Sequence, residues 1–552
     1  MYPGRRPGLF LFSFEGGMQP YALTVDKFLD HAAKWFGERE VVEGDAGHAA
    51  ARVGYADLRA RANRLSGALL ALGLAPGDRV GTLAWNTQGH FEAYYAAMGV
   101  GLVCHTLNPR LTVAHLAAII DEAGERVLAV AASLAPLLAE LVPLCPSVEH
   151  VVLLDSDAET ATRGLDIGAR LWTQDALVSA RGAEVQWGGF DEQAPAGLCY
   201  TSGTTGRPKG VVYTHRSNYL HTLRALQADA VALTSRDVVL LAVPMFHANA
   251  WGLPFAAPAV GAKLVLPGRH TDGASLAALI RDEGVTVAVG VQTLWLGLVD
   301  HLDAAGGELP ALERVLIGGS SCPDALIRRF EQRLGARVQT SWGMTELSPM
   351  GTIAPPGLPA SAEQGSGRAP MGLDLKLTDI HGAALPEQRG VVGHLKVRGA
   401  TVVERYFGAD QDALDEDGYF DTGDLASLDA AGNLTICGRS KDLIKSGGEW
   451  INPSEIEAIV GSEPSVALVA VIGREDARWG ERPVLMVEPR QGERVDAAAL
   501  VARLRGRIAD WWLPDQVVAV PAMPLAASGK IDKNRLRADY ASGLYVPEGA
   551  SR

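Results

Sequence analysis

An eleven-residue stretch near the middle of the chain, from Tyr200 to Gly210, limits most strongly what this sequence can fold into and bind. It contains five hydroxyl side chains, three glycines and one lysine, Lys209. Glycine lets backbone N–H groups approach an anion closely, and the hydroxyl and ammonium groups add further donors. The P-loop pattern G-x-x-x-x-G-K-[ST], which opens a helix, does not fit, because Lys209 is followed by Gly210.

The residues on both sides of this stretch are typical of strands, so it predicts a phosphate-binding loop on a β-hairpin. A flexible Gly/Thr turn is the alternative interpretation. Hairpin turns usually need about two to five residues, and this loop is longer and richer in donors.

Composition sets broader limits. At 552 residues the chain exceeds what one hydrophobic core usually serves, so two or more domains are expected. The net charge is −14 and no basic block occurs, which argues against a nucleic-acid partner. The five cysteines are scattered without a C-x-x-C pair, which indicates free thiols and no metal cage.

The apolar run Leu9 to Phe14 is too short for a secretion signal, and no apolar run reaches the roughly 18 residues of a transmembrane helix. We therefore expect a soluble, cytoplasmic protein.

Helical and strand-like segments alternate along the first part of the chain. Apolar residues recur with helical spacing from about Tyr55 to Gly73, and a mostly apolar strand follows at Arg79 to Ala84. This alternation predicts an α/β fold, with a large N-terminal domain of mixed, largely parallel sheets and helices. A compact α+β unit follows a glycine-framed, lysine-rich segment, 438–450. The predicted boundaries are 1–438 for the large domain, 439–445 for a hinge segment and 446–552 for a small C-terminal domain.

Polar, aromatic and glycine residues follow three further predicted strands. The longest is Val238 to Phe246, a continuous apolar run. Ligands of α/β sheets bind at the carboxyl ends of the strands, so we expect a binding site formed by the residues that come next: His247, Trp251, Gly318, Gly319, Trp342, Gly343, Met344, Thr345 and Glu346. Each also has a purely structural explanation, such as a satisfied core histidine or a packed tryptophan.

Two polar positions late in the chain complete the candidates. Asp424 lies in a polar turn and could accept two ribose hydroxyls, or be a solvated turn carboxylate. Lys530 lies in the segment Pro524 to Lys533, where a solvated surface lysine is the usual interpretation.

Taken in order, these motifs closely resemble those of the adenylate-forming superfamily, which comprises acyl-CoA synthetases, luciferases and peptide-synthetase adenylation domains. The resemblance covers about Thr24 to Lys533. The segments Pro244 to Pro254 and Lys441 to Ile451 are most similar to bacterial medium- and long-chain fatty-acyl-CoA synthetases.

The resemblance implies a reaction in two halves. A carboxylate first attacks the α-phosphate of ATP, giving an acyl-adenylate and pyrophosphate, with Lys530 bridging the carboxylate and the phosphate. The mobile small domain then rotates about Lys441, Lys445 comes to face the site, and the thiol of coenzyme A displaces AMP. The implied cofactors are ATP, Mg²⁺ and coenzyme A, and relatives of the long-chain type imply a homodimer.

The same resemblance supplies the individual roles. The implied catalytic residues are Lys530, Glu346, Lys445 and His247, and the implied Mg²⁺ ligands are Thr201 and Glu346. Nucleotide and coenzyme A are assigned to Thr201, Ser202, Gly203, Thr204, Thr205, Gly206, Lys209, Gly318, Gly319, Thr340, Ser341, Trp342, Thr345, Asp424, Arg439, Lys441, Gly448 and Trp450. The acyl group is assigned to His247, Ala248, Trp251, Val291, Gly343 and Met344, with Trp251 at a position that gates the fatty-acid tunnel.

The sequence departs from the family pattern at one position of the site. Relatives often have Gln or His six residues before the motif glutamate, whereas this chain has Thr340 there and Gln339 one place earlier.

The leading functional prediction is an AMP-forming CoA ligase for a medium- or long-chain fatty acid. The alternatives are a ligase for a short-chain, methylthio-propionate-like acid or an aromatic, cinnamate-like acid, a carrier-loading adenylating enzyme, and a non-catalytic nucleotide sensor. A sensor has no need of Lys530, which argues against that class.

Overall fold

The computed structural model describes residues 18–154, 167–201, 208–319, 322, 324–357, 365–447, 449–526 and 530–545. Its helices are α1 (Asp26–Trp35), α2 (Tyr55–Ala71), α3 (Gln88–Met98), α4 (Val113–Ala123), α5 (Ala135–Leu141), α6 (Gln174–Arg181), α7 (His215–Ala225), α8 (Leu253–Val260), α9 (Gly273–Glu283), α10 (Gln292–Ala305), α11 (Asp324–Leu334), α12 (Pro453–Val460), α13 (Ala497–Leu504) and α14 (Lys533–Ala541).

The strands are β1 (Glu40–Asp45), β2 (His48–Gly54), β3 (Arg79–Leu83), β4 (Val103–Thr106), β5 (Val127–Val130), β6 (His150–Leu153), β7 (Arg170–Thr173), β8 (Pro195–Thr201), β9 (Lys209–Thr214), β10 (Val238–Leu241), β11 (Lys263–Leu266), β12 (Val287–Val291), β13 (Arg314–Gly318), β14 (Arg337–Gly343), β15 (Met350–Ile353), β16 (Leu373–Thr378), β17 (Val392–Gly399), β18 (Phe420–Leu428), β19 (Leu434–Arg439), β20 (Ile444–Ser446), β21 (Glu449–Ile451), β22 (Val466–Asp476), β23 (Gly480–Pro489) and β24 (Gln516–Ala519).

Two large, mostly parallel sheets form the first part of the molecule. Within the described ranges, one has the strand order β15-β14-β13-β12-β10-β11-β1-β2 and the other β7-β6-β5-β3-β4-β8-β9. Only the edge pairs β1–β2, β14–β15 and β8–β9 are antiparallel among the described pairings of these two sheets. The central strands are buried on both faces, as in β5, where all of Val127–Val130 is buried. Such runs are typical of parallel strands covered by helices on both sides.

Two smaller sheets follow. Strands β16 to β19 form an antiparallel sheet in chain order. The last part of the chain has its own mixed sheet, in which β20, β21, β22 and β23 are joined by β24 alongside β23. Its core is separate and includes Ile444, Ile456 and Val471. The prediction of an α/β fold with a smaller C-terminal α+β unit is confirmed.

Local signals set many of the helix ends. Helix α9 begins where the Asp272 side chain accepts a hydrogen bond from the Ser275 N–H, 3.0 Å away, and it ends at Gly284 in the left-handed conformation. An aspartate at the N-cap and a glycine after the last turn are the preferred residues at these places. No helix in the described part of the chain is both long and apolar enough to cross a bilayer.

The predicted strand Val238 to Phe246 is shorter than expected. Strand β10 ends at Leu241, because the Asn86 side chain replaces a neighbouring strand beyond that point. Its amide N–H₂ donates to the carbonyls of Leu241 and Val243 at 2.8 Å, and its carbonyl accepts from the Met245 N–H at 2.7 Å. The chain can therefore turn away from the sheet while its buried backbone groups stay hydrogen-bonded.

Candidate active site

A cavity of about 1480 Å³ lies at the carboxyl ends of β12, β13 and β14, beside the β8–β9 hairpin and under the small C-terminal unit. This is the edge at which α/β sheets bind ligands. The predicted site residues that line it are Thr201, Lys209, His247, Ala248, Trp251, Val291, Gly319, Thr340, Ser341, Trp342, Gly343, Met344, Thr345, Glu346, Asp424, Arg439, Lys441 and Lys530.

The predicted hairpin is present at the cavity wall. Thr201 and Lys209 form the last residue pair of antiparallel strands β8 and β9. The loop between them includes Ser202, Gly203, Thr204, Thr205 and Gly206, and these five predicted residues lie outside the described ranges. The two described ends, Thr201 and Lys209, both line the cavity.

Tyr406 joins the hairpin to the motif glutamate. The Lys209 ammonium lies 4.7 Å from the centre of the Tyr406 ring, within cation–π range. The Tyr406 hydroxyl donates to Glu346 Oε1 at 2.9 Å. One tyrosine thus contacts both a cation and a carboxylate of the site.

Glu346 lies in a short helical turn, Thr345–Leu347, directly after β14, and it is buried. Burial raises the pKa of the Glu346 carboxyl, while the Tyr406 hydrogen bond and the charges of Arg439 and Lys209 oppose the rise. The turn is held from both sides, because the Tyr213 hydroxyl donates to the Thr345 carbonyl at 2.8 Å and the Val403 N–H donates to the Glu346 carbonyl at 2.8 Å.

Glu346 fits a magnesium ion that is shared with a ligand. Its carboxylate offers hard oxygen donors at the cavity wall. In the part of the chain that the structure describes, no cluster of three or more His, Cys, Asp or Glu side chains could enclose a metal alone. Mg²⁺ is usually bound by one or two carboxylates together with substrate phosphates and water, and this donor set matches that pattern.

Asp424, Trp342 and Arg439 form a buried polar group. The Trp342 indole Nε1 donates to Asp424 Oδ2 at 3.0 Å, and Arg439 Nε lies 2.9 Å from Asp424 Oδ1. Asp424 is 2% exposed and lies on β18, so the prediction of a polar turn, with a solvated carboxylate as the alternative, is wrong. Burial raises the pKa of the Asp424 carboxyl, and Arg439, Trp342 and Lys530 counter that rise. Each carboxylate oxygen has used one acceptor site, so each retains a lone pair for a ligand.

Gly318, the last residue of β13, lets other groups approach the backbone closely. A Cβ on Gly318 would lie 2.6 Å from Ser341 Oγ and 2.9 Å from the Trp251 ring, so any larger residue would displace one of them. Ser341 Oγ donates to the Ile317 carbonyl at 3.1 Å. The Trp251 ring therefore lies across the end of β13.

The departure at Thr340 has a structural counterpart. Thr340 lines the cavity, and its hydroxyl donates to the Gly365 carbonyl at 2.7 Å. Gln339 is buried instead, and its amide donates to the carbonyls of Ala230 and Ala354 at 3.1 and 2.9 Å. Gln339 is thus part of the scaffold, and Thr340 is the residue that contacts the cavity.

Lys530 enters the cavity from the small C-terminal unit. Its Cε lies 3.7 Å from the position that a Cβ on Gly319 would occupy. Lys530 is exposed to solvent at the cavity, yet the surrounding protein partly desolvates its amino group and thereby lowers its pKa. Arg439 lowers it further, whereas Asp424 and Glu346 raise it. The Lys530 side chain therefore lies close to the charged side chains at the cavity that come from the rest of the chain.

The residues predicted for an acyl group form another wall. The backbone from Ala248 to Gly252 is left-handed throughout, with φ between 45° and 77°. Such conformations are unfavourable for non-glycine residues, and the buried Asn249 side chain anchors the turn, accepting from the Tyr94 hydroxyl at 3.4 Å and the Cys199 thiol at 3.6 Å. Burial, with the nearby charges of Lys530 and Arg110, lowers the pKa of His247 to about 4, so its imidazole is neutral at ordinary pH.

Among the described residues, Gly318 is absent from the cavity lining, and so are the two predicted residues of the β20–β21 segment that the structure describes. Lys445 and Trp450 are exposed neighbours on β20 and β21, with the Lys445 ammonium 5.4 Å from the Trp450 ring. Neither lines the cavity. Gly448 lies outside the described ranges.

Sequence reasoning missed Tyr406 and Asn86, which both line the cavity. Neither belongs to a glycine-rich, charged or periodic pattern, so the sequence offers no local signal for them. Their partners are far away along the chain, 60 residues for Tyr406 and Glu346 and 159 for Asn86 and Met245.

Comparison with known proteins identifies the family to which this chain is similar. The AMP-binding enzyme family matches residues 29–407, and the AMP-binding enzyme C-terminal domain matches residues 455–530. A 3-methylmercaptopropionyl-CoA ligase of Ruegeria lacuscaerulensis is 42% identical over 538 residues, covering 96% of this chain and 99% of the relative. A medium-chain-fatty-acid–CoA ligase of Ectopseudomonas oleovorans is 40% identical over 538 residues, covering 96% and 98%. A long-chain-fatty-acid–CoA ligase of Thermus thermophilus is 40% identical over 541 residues, covering 96% and 97%.

Solved structures share the fold. An anthranilate CoA ligase in complex with anthranoyl-AMP superposes with a TM-score of 0.85 at 22% identity, covering 95% of this chain and 99% of the other. The o-succinylbenzoate CoA synthetase of Bacillus subtilis in complex with ATP and magnesium ion has a TM-score of 0.77 at 26% identity, covering 92% and 98%. The chain therefore belongs to the AMP-binding enzyme family, and within it to the AMP-forming acyl-CoA ligases.

Proposed function

We propose that this ligase converts a medium- or long-chain fatty acid to its coenzyme A thioester, with ATP and Mg²⁺. The observation that carries the proposal is the apolar lining of the cavity around Trp251. Trp251 packs against a core cluster, and several members of that cluster also line the cavity: Val231, Leu253, Val289, Leu316, Met350 and Ile353. Buried apolar surface of this kind stabilises an alkyl chain by about 0.8 kcal/mol for each CH₂ group removed from water.

For the first half-reaction, the proposal assigns ATP to the β8–β9 hairpin and the ends of β13 and β14. Asp424 accepts hydrogen bonds from the ribose hydroxyls, and Lys209 contacts the phosphates. Lys530 binds the attacking carboxylate and the α-phosphate, where charge builds up in the transition state and a fixed cation has most effect. Glu346, with Thr201, holds Mg²⁺, which when bound offsets the charge of the phosphates.

For the second half-reaction, we propose that the chain has a large domain at 1–438, a hinge at 439–445 and a small domain at 446–552. Rotation about Lys441 withdraws Lys530 and brings Lys445, Gly448 and Trp450 toward the cavity for the coenzyme A thiol. What supports this is that Lys530 lines the cavity, whereas Lys445, the last residue of the proposed hinge, lies on β20 of the C-terminal sheet and does not line it.

A short-chain, methylthio-propionate-like acid is the second candidate substrate. Two observations favour it over an aromatic acid: the 42% identical relative is a 3-methylmercaptopropionyl-CoA ligase, and the Trp251 ring lies across Gly318, which narrows the cavity there.

The test is AMP release with ATP, Mg²⁺ and coenzyme A against 3-methylthiopropionate, cinnamate and straight-chain acids from acetate to hexadecanoate. The highest kcat/KM for octanoate or a longer acid supports the proposal, and the highest kcat/KM for 3-methylthiopropionate or butanoate replaces it with the second candidate. We further propose a cytoplasmic homodimer, and sedimentation at the mass of a monomer would contradict the dimer.

A further inference from the structure

Helix α7 carries two buried polar side chains that face the acyl wall of the cavity. His221 and Arg224 are three residues apart, so they lie on the same face of the helix. They are 1% and 3% exposed. Neither contributes an atom to the cavity lining, and neither carries a role in the proposed reaction.

The two side chains hold both backbone groups of Met350, whose own side chain lines the cavity. The Met350 N–H donates to His221 Nε2 at 3.2 Å. The Arg224 guanidinium donates to the Met350 carbonyl through Nη2 and to Thr401 Oγ1 through Nη1, the latter at 3.0 Å. The Ser348 hydroxyl donates to the Thr401 carbonyl at 2.9 Å, so the residues on both sides of Pro349 are fixed.

His221 also contacts the opposite wall. A Cβ on Gly252 would lie 2.6 Å from His221 Nδ1 and 2.7 Å from its Cε1, and Gly252 has a φ of +77°. Gly252 directly follows Trp251, whose ring lines the same cavity. One imidazole therefore contacts the Met350 backbone on one side and the chain that carries Trp251 on the other.

The chemistry of the pair suits a rigid support. Burial, with the charge of Arg224, holds the pKa of His221 well below its usual value, so Nε2 keeps the lone pair that accepts from Met350. Burial lowers the pKa of Arg224 to about 10, which leaves the guanidinium charged at neutral pH. Arg224 Nε has no hydrogen-bond partner within the described residues, but the bonds of Nη1, Nη2 and His221 Nε2 favour this arrangement, because any other would leave those buried groups unpaired as well.

We propose that His221 and Arg224 are positioning residues that set the distance between Trp251 and Met350 and thereby the length of acyl chain that the enzyme accepts. This rests on the proposed acyl pocket, although not on which chain length is preferred. His221 acts on both walls, and Arg224 acts on the Met350 side alone.

The test compares His221→Leu, which removes the acceptor, with His221→Gln, whose amide oxygen can replace Nε2. Thr222→Val is the matched control, because Thr222 is equally buried on the same helix and its hydroxyl donates only to the Asn218 carbonyl of that helix, at 2.8 Å. Each variant is assayed for kcat and KM with butanoate, octanoate and hexadecanoate, for KM with ATP, and for its thermal midpoint.

We expect His221→Leu to raise KM for the preferred acid by about tenfold, the effect of losing one buried hydrogen bond, and to change the ratios of kcat/KM among the three acids. KM for ATP should stay within about twofold, and His221→Gln should restore the ratios. Arg224→Lys, which keeps the charge but not the double contact, should change the same ratios, and it serves if His221→Leu does not fold.

Unchanged acid ratios in folded His221→Leu and Arg224→Lys would overturn the inference, as would equal shifts in Thr222→Val. A wild-type preference for butanoate would contradict the proposed fatty-acid substrate alone, because the variants would still report whether the pair sets the acyl ratios.

Discussion

Asp424→Asn tests whether this carboxylate binds the ribose of ATP. In the structure Asp424 Oδ2 accepts from Trp342 and Oδ1 faces Arg439, and each oxygen retains one lone pair. Two ribose hydroxyls can therefore be bound at once. A hydrogen bond to a charged acceptor contributes about 1.5–3 kcal/mol, which corresponds to about 10- to 150-fold in affinity. The wild type should accordingly prefer ATP to 2′-deoxy-ATP by a factor in that range.

In Asp424→Asn the charge is gone and one oxygen is replaced by a donor. We expect KM for ATP to rise by about 10- to 150-fold and the preference for ATP over 2′-deoxy-ATP to fall to within about threefold. The amide cannot accept from both Trp342 and Arg439, so the variant should also lose about 1–3 kcal/mol of stability, to be checked by urea unfolding.

The control is Asp421→Asn, three residues earlier on the same strand, β18. Asp421 is exposed, and its Oδ1 accepts from the Gly423 N–H at 2.8 Å. This variant has the same change of charge, so it should keep the nucleotide preference. If folded Asp424→Asn retained the wild-type preference for ATP over 2′-deoxy-ATP, the ribose assignment would be refuted.

Two further predictions follow from the same geometry. In Lys530→Ala the rate of adenylation should fall by about 100- to 1,000-fold, as when a transition-state donor is removed, whereas the rate of transfer to coenzyme A from a supplied acyl-adenylate should be largely kept. Lys445→Ala should show the opposite pattern. Equal losses in both half-reactions would rule out the domain rotation. The free energy of unfolding should fall as the pH drops from about 6.5 to 5. Burial lowers the pKa values of four histidines, which are therefore neutral in the folded protein but become protonated in the unfolded chain over this range: His90, His215, His221 and His247. Burial raises the pKa of Glu92 to about 7 and also raises those of Glu346 and Asp424, which acts in the opposite direction, so the net difference stays below four protons, or below about 5 kcal/mol per pH unit. Urea midpoints measured across this range should decline, and a flat profile would contradict the prediction.

The sequence predicted the site best where residues able to bind a ligand follow directly after a strand. The strand-like residues on both sides of the stretch Tyr200 to Gly210 predicted a hairpin, and the structure pairs Thr201 with Lys209 at the end of its two strands. The residues after β13 and β14 were predicted to meet because parallel strands end at one edge of a sheet. The case of Lys530 is different: a single lysine far along the chain has no local pattern, and only the family resemblance indicated its place at the cavity.

The remaining features depend on contacts that no local pattern encodes. Strand β10 stops at Leu241 because Asn86, more than 150 residues away in the chain, replaces β11 as the hydrogen-bond partner on one side. From the sequence alone, His221 and Arg224 are ordinary polar residues of helix α7. Only the structure shows that their side chains are hydrogen-bonded to the backbone of Met350. Apolar periodicity predicts which face of an element is buried, but it does not specify the polar partner that lies there.

Tyr406 has a consequence for the free enzyme. Its ring faces the Lys209 ammonium and its hydroxyl is bound to Glu346, so each of these opposite charges already has a neutral partner. An ion pair that formed directly between them would have to be broken whenever nucleotide and metal arrived. The aromatic spacer removes that competing state, so the anion-binding and cation-binding halves of the site can be ready together before either ligand is present.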